Sequence, residues 1–256
     1  MPRFVALTRP VSDSILNCEL THVAREPIDL ERAREQHAAY ERALAAAGCQ
    51  IVRVQAAHDL PDAVFVEDAA IVVPELAIVT RPGASSRRPE TAAVAAILRL
   101  YKDVRQVEPP GVIDGGDVLV AGRRVFIGRT SRTNDAAIAQ MRGILEPIGY
   151  RVESVDVIGC LHLKSAATAL ADDRLLINSR WIPREAFGGF DLVDVAPEEP
   201  YAANIVRAGP HLIYPTAFPG TRAKLERSGL SIVAVDVSEL AKAEGAVTCC
   251  SIVFEA

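Results

Sequence analysis

The feature that most limits how this chain can fold is a recurring pattern. Short polar clusters stand directly before short apolar runs. Glu67-Asp68 precedes Ala69–Val73, Asp114-Gly115-Gly116-Asp117 precedes Val118–Ala121, and His162-Leu163-Lys164 precedes Ala166–Leu170. Near the C-terminus, Thr248-Cys249 precedes Cys250–Phe254. Apolar runs of this length read as strands, so each cluster is expected at a strand's beginning, where a loop turns into a sheet. With an unmarked opening near Ala203, the clusters recur at roughly 40 to 50 residues, the length scale of propeller blades and other closed arrays. The units agree in pattern, not in identical residues. A closed ring of such units would bring every opening to one axis, where residues far apart in sequence share a pocket.

The segments between the clusters fit the same unit, a strand, a second strand, a helix and a third strand. In the first full unit, Val64–Val73 and Ala77–Thr80 read as a hairpin, Pro89–Tyr101 as a helix and Val104–Val107 as a strand. The next has Val118–Val120, Arg124–Ile127, a helix capped by Asn134, and Arg151–Val155. The third has Lys164–Leu170, Arg174–Asn178, a short helix near Pro183–Phe187, and Asp191–Val195. The fourth has Ala203–Val206, His211–Tyr214, a helix Thr221–Ser228 and Ser231–Val235. The fifth is expected to close the circle with the short helix Ser238–Glu244, the strand Cys250–Phe254 and the N-terminal strand Phe4–Thr8. The clearest helix is Glu26–Gly48: Asp29 can cap its start, Ala33, His37, Tyr40, Leu44 and Ala47 share one face, and Gly48 suits its end. Ile51–Val54 reads as a strand and Arg9–Arg25 as a long loop.

Composition excludes several function classes. The chain has 256 residues and a formal net charge of −5, with no basic block to serve as a nucleic-acid footprint. That length suits one large domain with ample core. No apolar run approaches the roughly 18 residues of a membrane span. Met1–Pro10 is too poor in apolar residues for a secretory leader, and the cysteines are odd in number and scattered. Free thiols in the cytoplasm are therefore expected. The sequence does not fix the oligomeric state, and a homodimer is kept open.

Cysteine attack needs a thiolate, and a thiolate needs a base or nearby positive charge. Cys249 with His162 could supply the pair, although either alone suits a buried core position. The carboxylates sharpen the reading. Asp62, Glu67, Asp68, Asp114 and Asp117 lie at loop–strand junctions among apolar residues, and acidic groups avoid burial unless paired. Asp114-Gly115-Gly116-Asp117 could be a tight turn and nothing more. Alternatively, the carboxylates line a pocket for a cation, with a planar guanidinium as the natural guest. A divalent metal would use the same groups, but one histidine without clustered ligand spacing makes that weak. Two basic loops, Arg81–Arg88 and Arg129–Arg132, follow hairpins in adjacent units. They are either solvated surface or, through Arg87 and Arg132, a clamp for a carboxylate at the pocket's outer end. Acid inside and arginine outside would fit an amino acid whose side chain ends in guanidinium.

Six stretches in register carry a family likeness: Phe65-Val66-Glu67-Asp68, Thr80 through Arg88, Asp114 through Val118, Arg132-Thr133-Asn134, Leu161 through Ser165, and Thr248 through Ser251. In these the chain resembles the dimethylarginine dimethylaminohydrolases of the guanidine-modifying, or pentein, superfamily, along essentially its whole length. The resemblance implies a single α/β domain over 1–256, a five-bladed propeller with pseudo-fivefold symmetry. It implies Cys249 as nucleophile, with Cys250 a non-catalytic neighbour, His162 as general acid/base and Asp114 as the third catalytic position. It implies Glu67 and Asp68 around the substrate guanidinium, and Asp62, Arg87 and Arg132 at its amino-acid end. Leu20 and Ala243 match positions touching substrate; Ala243 is smaller than the branched residue expected there, which bears on substrate preference.

The implied reaction is hydrolysis of methylated arginine, a small-molecule substrate, to citrulline and an amine through a Cys249 thiouronium, with no metal or organic cofactor. An arginine deiminase or an amidinotransferase on the same fold is the nearest rival, though those resemble longer chains. A non-enzymatic binder of arginine derivatives has no need of a nucleophile and base together. The Arg9–Arg25 loop carrying Leu20 is the expected lid.

Overall fold

The computed structural model describes residues 4–256. In chain order β1 (Phe4–Thr8), α1 (Leu30–Ala46) and β2 (Gln50–Arg53) come first. They are followed by β3 (Ala70–Val72), β4 (Leu76–Val79), α2 (Thr91–Leu98) and β5 (Asp103–Gln106). Next come β6 (Val118–Ala121), β7 (Arg124–Arg129), α3 (Asp135–Leu145) and β8 (Arg151–Asp156). The third group is α4 (Leu163–Ala166), β9 (Ala167–Ala171), β10 (Arg174–Ile177) and β11 (Asp191–Asp194). The chain ends with β12 (Val206–Ala208), β13 (His211–Pro215), α5 (Pro219–Arg227), β14 (Ile232–Val235), α6 (Ser238–Ala241) and β15 (Ile252–Glu255).

These strands form five three-stranded sheets, ordered β3-β4-β5, β6-β7-β8, β9-β10-β11, β12-β13-β14 and β15-β1-β2. In every sheet the first pair is antiparallel and the second parallel. A parallel neighbour needs a long crossover, which explains why helical segments fall between the second and third strands. The third crossover carries only the short 3-10 helix Arg184–Phe187. The five-unit α/β ring expected from the repeat is thus the observed architecture.

Closure differs from expectation in one respect. The fifth crossover is α1, between β1 and β2, and not the segment Ser238–Glu244. The last unit is therefore assembled from both ends of the chain, with Phe4 opposite Glu255 and Leu7 opposite Ile252. Short α6 has Gln36 of α1 accepting from the Glu239 N–H and donating to the Ser238 hydroxyl. Helix α1 itself starts later than Glu26 because the Asp29 carboxylate caps it, accepting from the Arg32 N–H at 3.1 Å.

Apolar side chains gather in five clusters, each at a seam between neighbouring units. Ile71 and Ile78 of one unit, for example, pack with Val118, Val125 and Met141 of the next. No unit can bury its apolar face alone, so the units stand or fall with their neighbours. The first strands β3, β6, β9, β12 and β15 surround a central axis, where residues of all five line one channel. Among the described residues no helix is long and apolar enough to cross a membrane.

Candidate active site

The polar clusters are not the first residues of extended strands. Four of them form single helical turns just ahead of β3, β6, β9 and β15: Val66–Ala69, Gly115–Asp117, Leu163–Ala166 and Thr248–Cys250. The difference has a consequence. Successive side chains in a strand point to opposite faces, whereas in a helical turn they fan out by about 100°. Glu67 and Asp68, adjacent in one turn, accordingly serve different surroundings. Asp68 lines a narrow cleft with His162 and Cys249, while Glu67 lines the axial channel.

The narrow cleft is bordered by Asp62, Asp68, Arg87, Arg132, His162, Ala243 and Cys249. Seven of the ten residues proposed from the sequence therefore share one cavity. Asp114 stands behind His162: its Oδ2 is 3.1 Å from His162 Nε2, and its Oδ1 accepts from the Gly83 N–H at 2.8 Å. Fully buried Asp117 accepts from the hydroxyls of Thr130 and Thr133, both at 2.6 Å, and from the Leu163 N–H at 3.0 Å. It thereby fixes the turn that follows His162.

Gly115 and Gly116 are required by close approach. A Cβ on Gly115 would lie 2.0 Å from the Glu67 carbonyl oxygen. One on Gly116 would lie 2.5 Å from His162 Nδ1 and 2.9 Å from Asp68 Oδ1. The Gly116 N–H donates to that Asp68 oxygen at 2.9 Å. The Asp-Gly-Gly-Asp stretch is thus more than a tight turn: it lets an imidazole and a carboxylate meet against bare backbone.

Charges in the cleft are closely coupled. Burial alone would lower the His162 pKa, but Asp68, Asp114 and Asp117 outweigh it and raise it to about 9. Burial would raise Asp68, yet His162, Arg87 and the Gly116 N–H hold it down at about 2. Burial raises Asp117 to about 6 against the pull of His162 and two hydroxyls. At Cys249, burial and then Glu67 and Asp68 push the thiol well up. Asp68, Asp114 and His162 can bring one ligand atom each within 4.8 Å of one another. Both carboxylates are nevertheless already engaged, Asp68 with Arg87 and Gly116, Asp114 with His162 and Gly83.

The arginines differ in how free they are. Arg87 turns its fork inward: it pairs with Asp68 and Glu90 and donates to the carbonyls of Asp62 and Phe65. Arg132 reaches the mouth, donating to Thr21 Oγ1 at 3.0 Å, with Asp114 Oδ2 4.0 Å away. Asp62 accepts from the Glu19 N–H at 3.2 Å.

The long loop before α1 covers the cleft and is fastened from several sides. Besides Asp62 and Arg132, the Glu244 carboxylate accepts from the N–H groups of Thr21 and His22 at 2.7 and 2.9 Å. Glu244 is the only non-glycine with positive φ among the described residues, at 59°, a conformation retained where surroundings enforce it. Leu20 is half-buried against the apolar cluster that also contains Ala243. Leu20, Glu67 and Asp114 do not line the cleft themselves.

Glu19, Glu244 and Gly245 also border it and escaped the sequence reading. Leu161, quoted beside His162 in the family likeness, borders it too. Glu19 and Glu244 carried no local signal, because their partners lie on segments brought together only by ring closure.

No family model matches the chain. It is 42% identical over 262 residues to the N(G),N(G)-dimethylarginine dimethylaminohydrolase of Streptomyces coelicolor, spanning 98% of this chain and 97% of that protein. It is 37% identical over 228 residues to the Pseudomonas aeruginosa protein of the same name, spanning 88% and 90%. Among solved structures, DDAH from Pseudomonas aeruginosa, as its C249S mutant complexed with citrulline, superposes with a TM-score of 0.94 at 34% identity and covers 99% of this chain and 100% of that one.

Proposed function

This chain belongs to the dimethylarginine dimethylaminohydrolase family, of the pentein superfamily, and from that premise we propose how its cleft hydrolyses methylated arginine. The protein is a hydrolase of the guanidino C–N bond of Nω-methylated arginines, releasing citrulline with dimethylamine or methylamine. The single observation that carries the mechanism is the hydrogen bond of 3.1 Å between His162 and Asp114 at the cleft that Cys249 and Asp68 share.

Asp68 faces the substrate guanidinium and favours its charged form, with Asp114 behind it. At rest the Cys249 thiol is protonated, since burial and two carboxylates raise its pKa. An entering guanidinium offsets those carboxylates and favours the thiolate, and the thiol proton leaves to solvent. The sulfur attacks the central guanidinium carbon, forming a C–S bond. His162, mostly imidazolium below about pH 9, gives its proton to the departing nitrogen as the C–N bond breaks. The neutral imidazole then takes a proton from water, whose oxygen attacks the thiouronium carbon. Cleavage of the C–S bond expels the thiolate, and the hydroxyl proton left on the product returns to the sulfur as citrulline leaves. Asp62 and Arg132 face the substrate's amino-acid end. Arg87 supports the same end and, through its pair with Asp68, holds the carboxylate that meets the guanidinium. Leu20 belongs to the covering loop and packs against the cluster that contains Ala243, and Glu67 acts from the axial side. Ala243 leaves room beside the substrate.

Citrulline release from asymmetric dimethylarginine, monomethylarginine and arginine tests the reading, with Cys249→Ser as control. Methylated substrates should turn over, and the variant should lose at least about 10⁴-fold in kcat. Turnover of arginine alone would make the chain a deiminase. We also propose a single domain, a cytoplasmic location, supported by five free cysteines, and a homodimer, which sedimentation equilibrium checks.

A further inference from the structure

The fourth unit, which has no charged or nucleophilic residue at its opening, contributes a side chain to the same centre. Asn204 stands two residues before β12 and is buried. Its Nδ2 donates to the Lys164 carbonyl at 3.0 Å and to Thr248 Oγ1 at 2.9 Å. Its Oδ1 accepts from the Thr248 N–H at 3.0 Å. Both amide hydrogens and the oxygen are therefore engaged.

The contacts continue in a circuit. Thr248 Oγ1 donates to Glu67 Oε2 at 2.7 Å, and Lys164 Nζ lies 2.6 Å from Glu67 Oε1. Lys164 leads back to Asn204 through its carbonyl. Four residues from four units thus close a ring around the axis. Lys164 is two residues from His162, and Thr248 precedes Cys249. The amide binds both of these neighbours and touches neither reacting group.

We propose that Asn204 is a positioning residue for the reaction, which sets Cys249 relative to His162 by tying the backbone beside each to one rigid amide. The physical argument is one of alternatives. The acid/base and the nucleophile are carried on separate units joined by packing at seams, and apolar packing is weakly directional. A buried amide is directional, and losing one of its bonds leaves a buried group unsatisfied. Reaction geometry is less tolerant than stability, since a shift of about 1 Å can cost about 10²-fold in rate. This inference rests on the proposed roles of Cys249 and His162.

The test compares Asn204→Asp and Asn204→Leu with the parent protein. Asn204→Asp keeps the shape but cannot donate when ionised; Asn204→Leu removes all three bonds. Steady-state kinetics on asymmetric dimethylarginine are combined with the pH dependence of Cys249 alkylation by iodoacetamide, and active sites are titrated with a haloamidine. The expected result is a fall of about 100-fold in kcat per titrated site with KM within about threefold. In Asn204→Asp, the added charge should also move the alkylation profile to higher pH. Thr248→Val breaks the ring from the other side and decides the matter if both Asn204 variants fail to fold; it should show the same kcat-selective loss. Full kcat per titrated site in folded variants, with an unmoved alkylation profile, would overturn the proposal. A Cys249→Ser protein that still turns over would instead sink the mechanism on which it rests.

Discussion

The two sides of the axial centre use the same kinds of group to opposite ends. On the cleft side, Asp68 is held ionised near 2 by His162 and Arg87 against its burial. On the channel side, its neighbour Glu67 pairs with Lys164, yet burial keeps its pKa above the ordinary value. Asp68 answers to two cationic side chains and a backbone N–H, and Glu67 to one cation and one hydroxyl. The contrast teaches that the number of cations beside a buried carboxylate decides which way its pKa moves. It also divides the labour: Asp68 has charge to offer a cation, and Glu67 braces the turn that carries Cys249.

The strongest way to break this contrast is Asp68→Asn, which leaves Arg87 paired with Glu90 alone and removes the charge meeting the guanidinium. A loss of about 10³-fold in kcat/KM is expected. Glu67→Gln should lose only about tenfold, chiefly in kcat, because it loosens the nucleophile's support without touching the cleft. Equal losses from the two changes would erase the distinction.

The pH dependence sharpens the same point. Activity should fall as pH rises through about 9, where His162 loses its proton, and in Asp68→Asn this limit should move to lower pH. Stability follows with a defined sign. The folded pKa of His162 is above its unfolded value, so its contribution is complete below about pH 6.5 and is lost as pH rises through about 9. Tm measured from pH 6 to 10 should decline across that window, and His162→Asn should flatten the decline.

Smaller effects belong to the cleft's cover and its support. Glu244→Ala removes the acceptor for two loop N–H groups and should raise KM about fivefold, with less effect on kcat. Tyr40→Phe removes a buried hydroxyl 2.6 Å from Ser251 Oγ. A loss of about 1 kcal/mol in stability is expected, read as a lower midpoint in urea, with kinetics changed less than by Glu244→Ala.

Much of the fold was legible because its unit is local. The strand pairs and most crossover helices follow from apolar periodicity and turn residues within each stretch, and Asp29 and Asn134 cap their helices as read. The helical turns at the openings were missed because a three- or four-residue turn has no period to detect. The fifth crossover was misassigned because its unit joins the two chain ends, so no contiguous window contains it. The site was legible as a set of residue types, and seven of the ten proposed residues do line one cleft. The inward turn of Arg87, the Glu244 contacts and the Asn204 ring were not legible.

The sequence by itself determined the repeating unit, the ring it closes into, and the presence of a thiol, an imidazole and several carboxylates at strand openings. Periodicity and spacing encode these through near neighbours. The tertiary structure alone decided that Asp68 faces the cleft and Glu67 the axis, and that Thr248 lies against a glutamate 181 residues away. The direction of a side chain relative to the axis depends on how the seams pack, and those contacts exist only after the ring has closed.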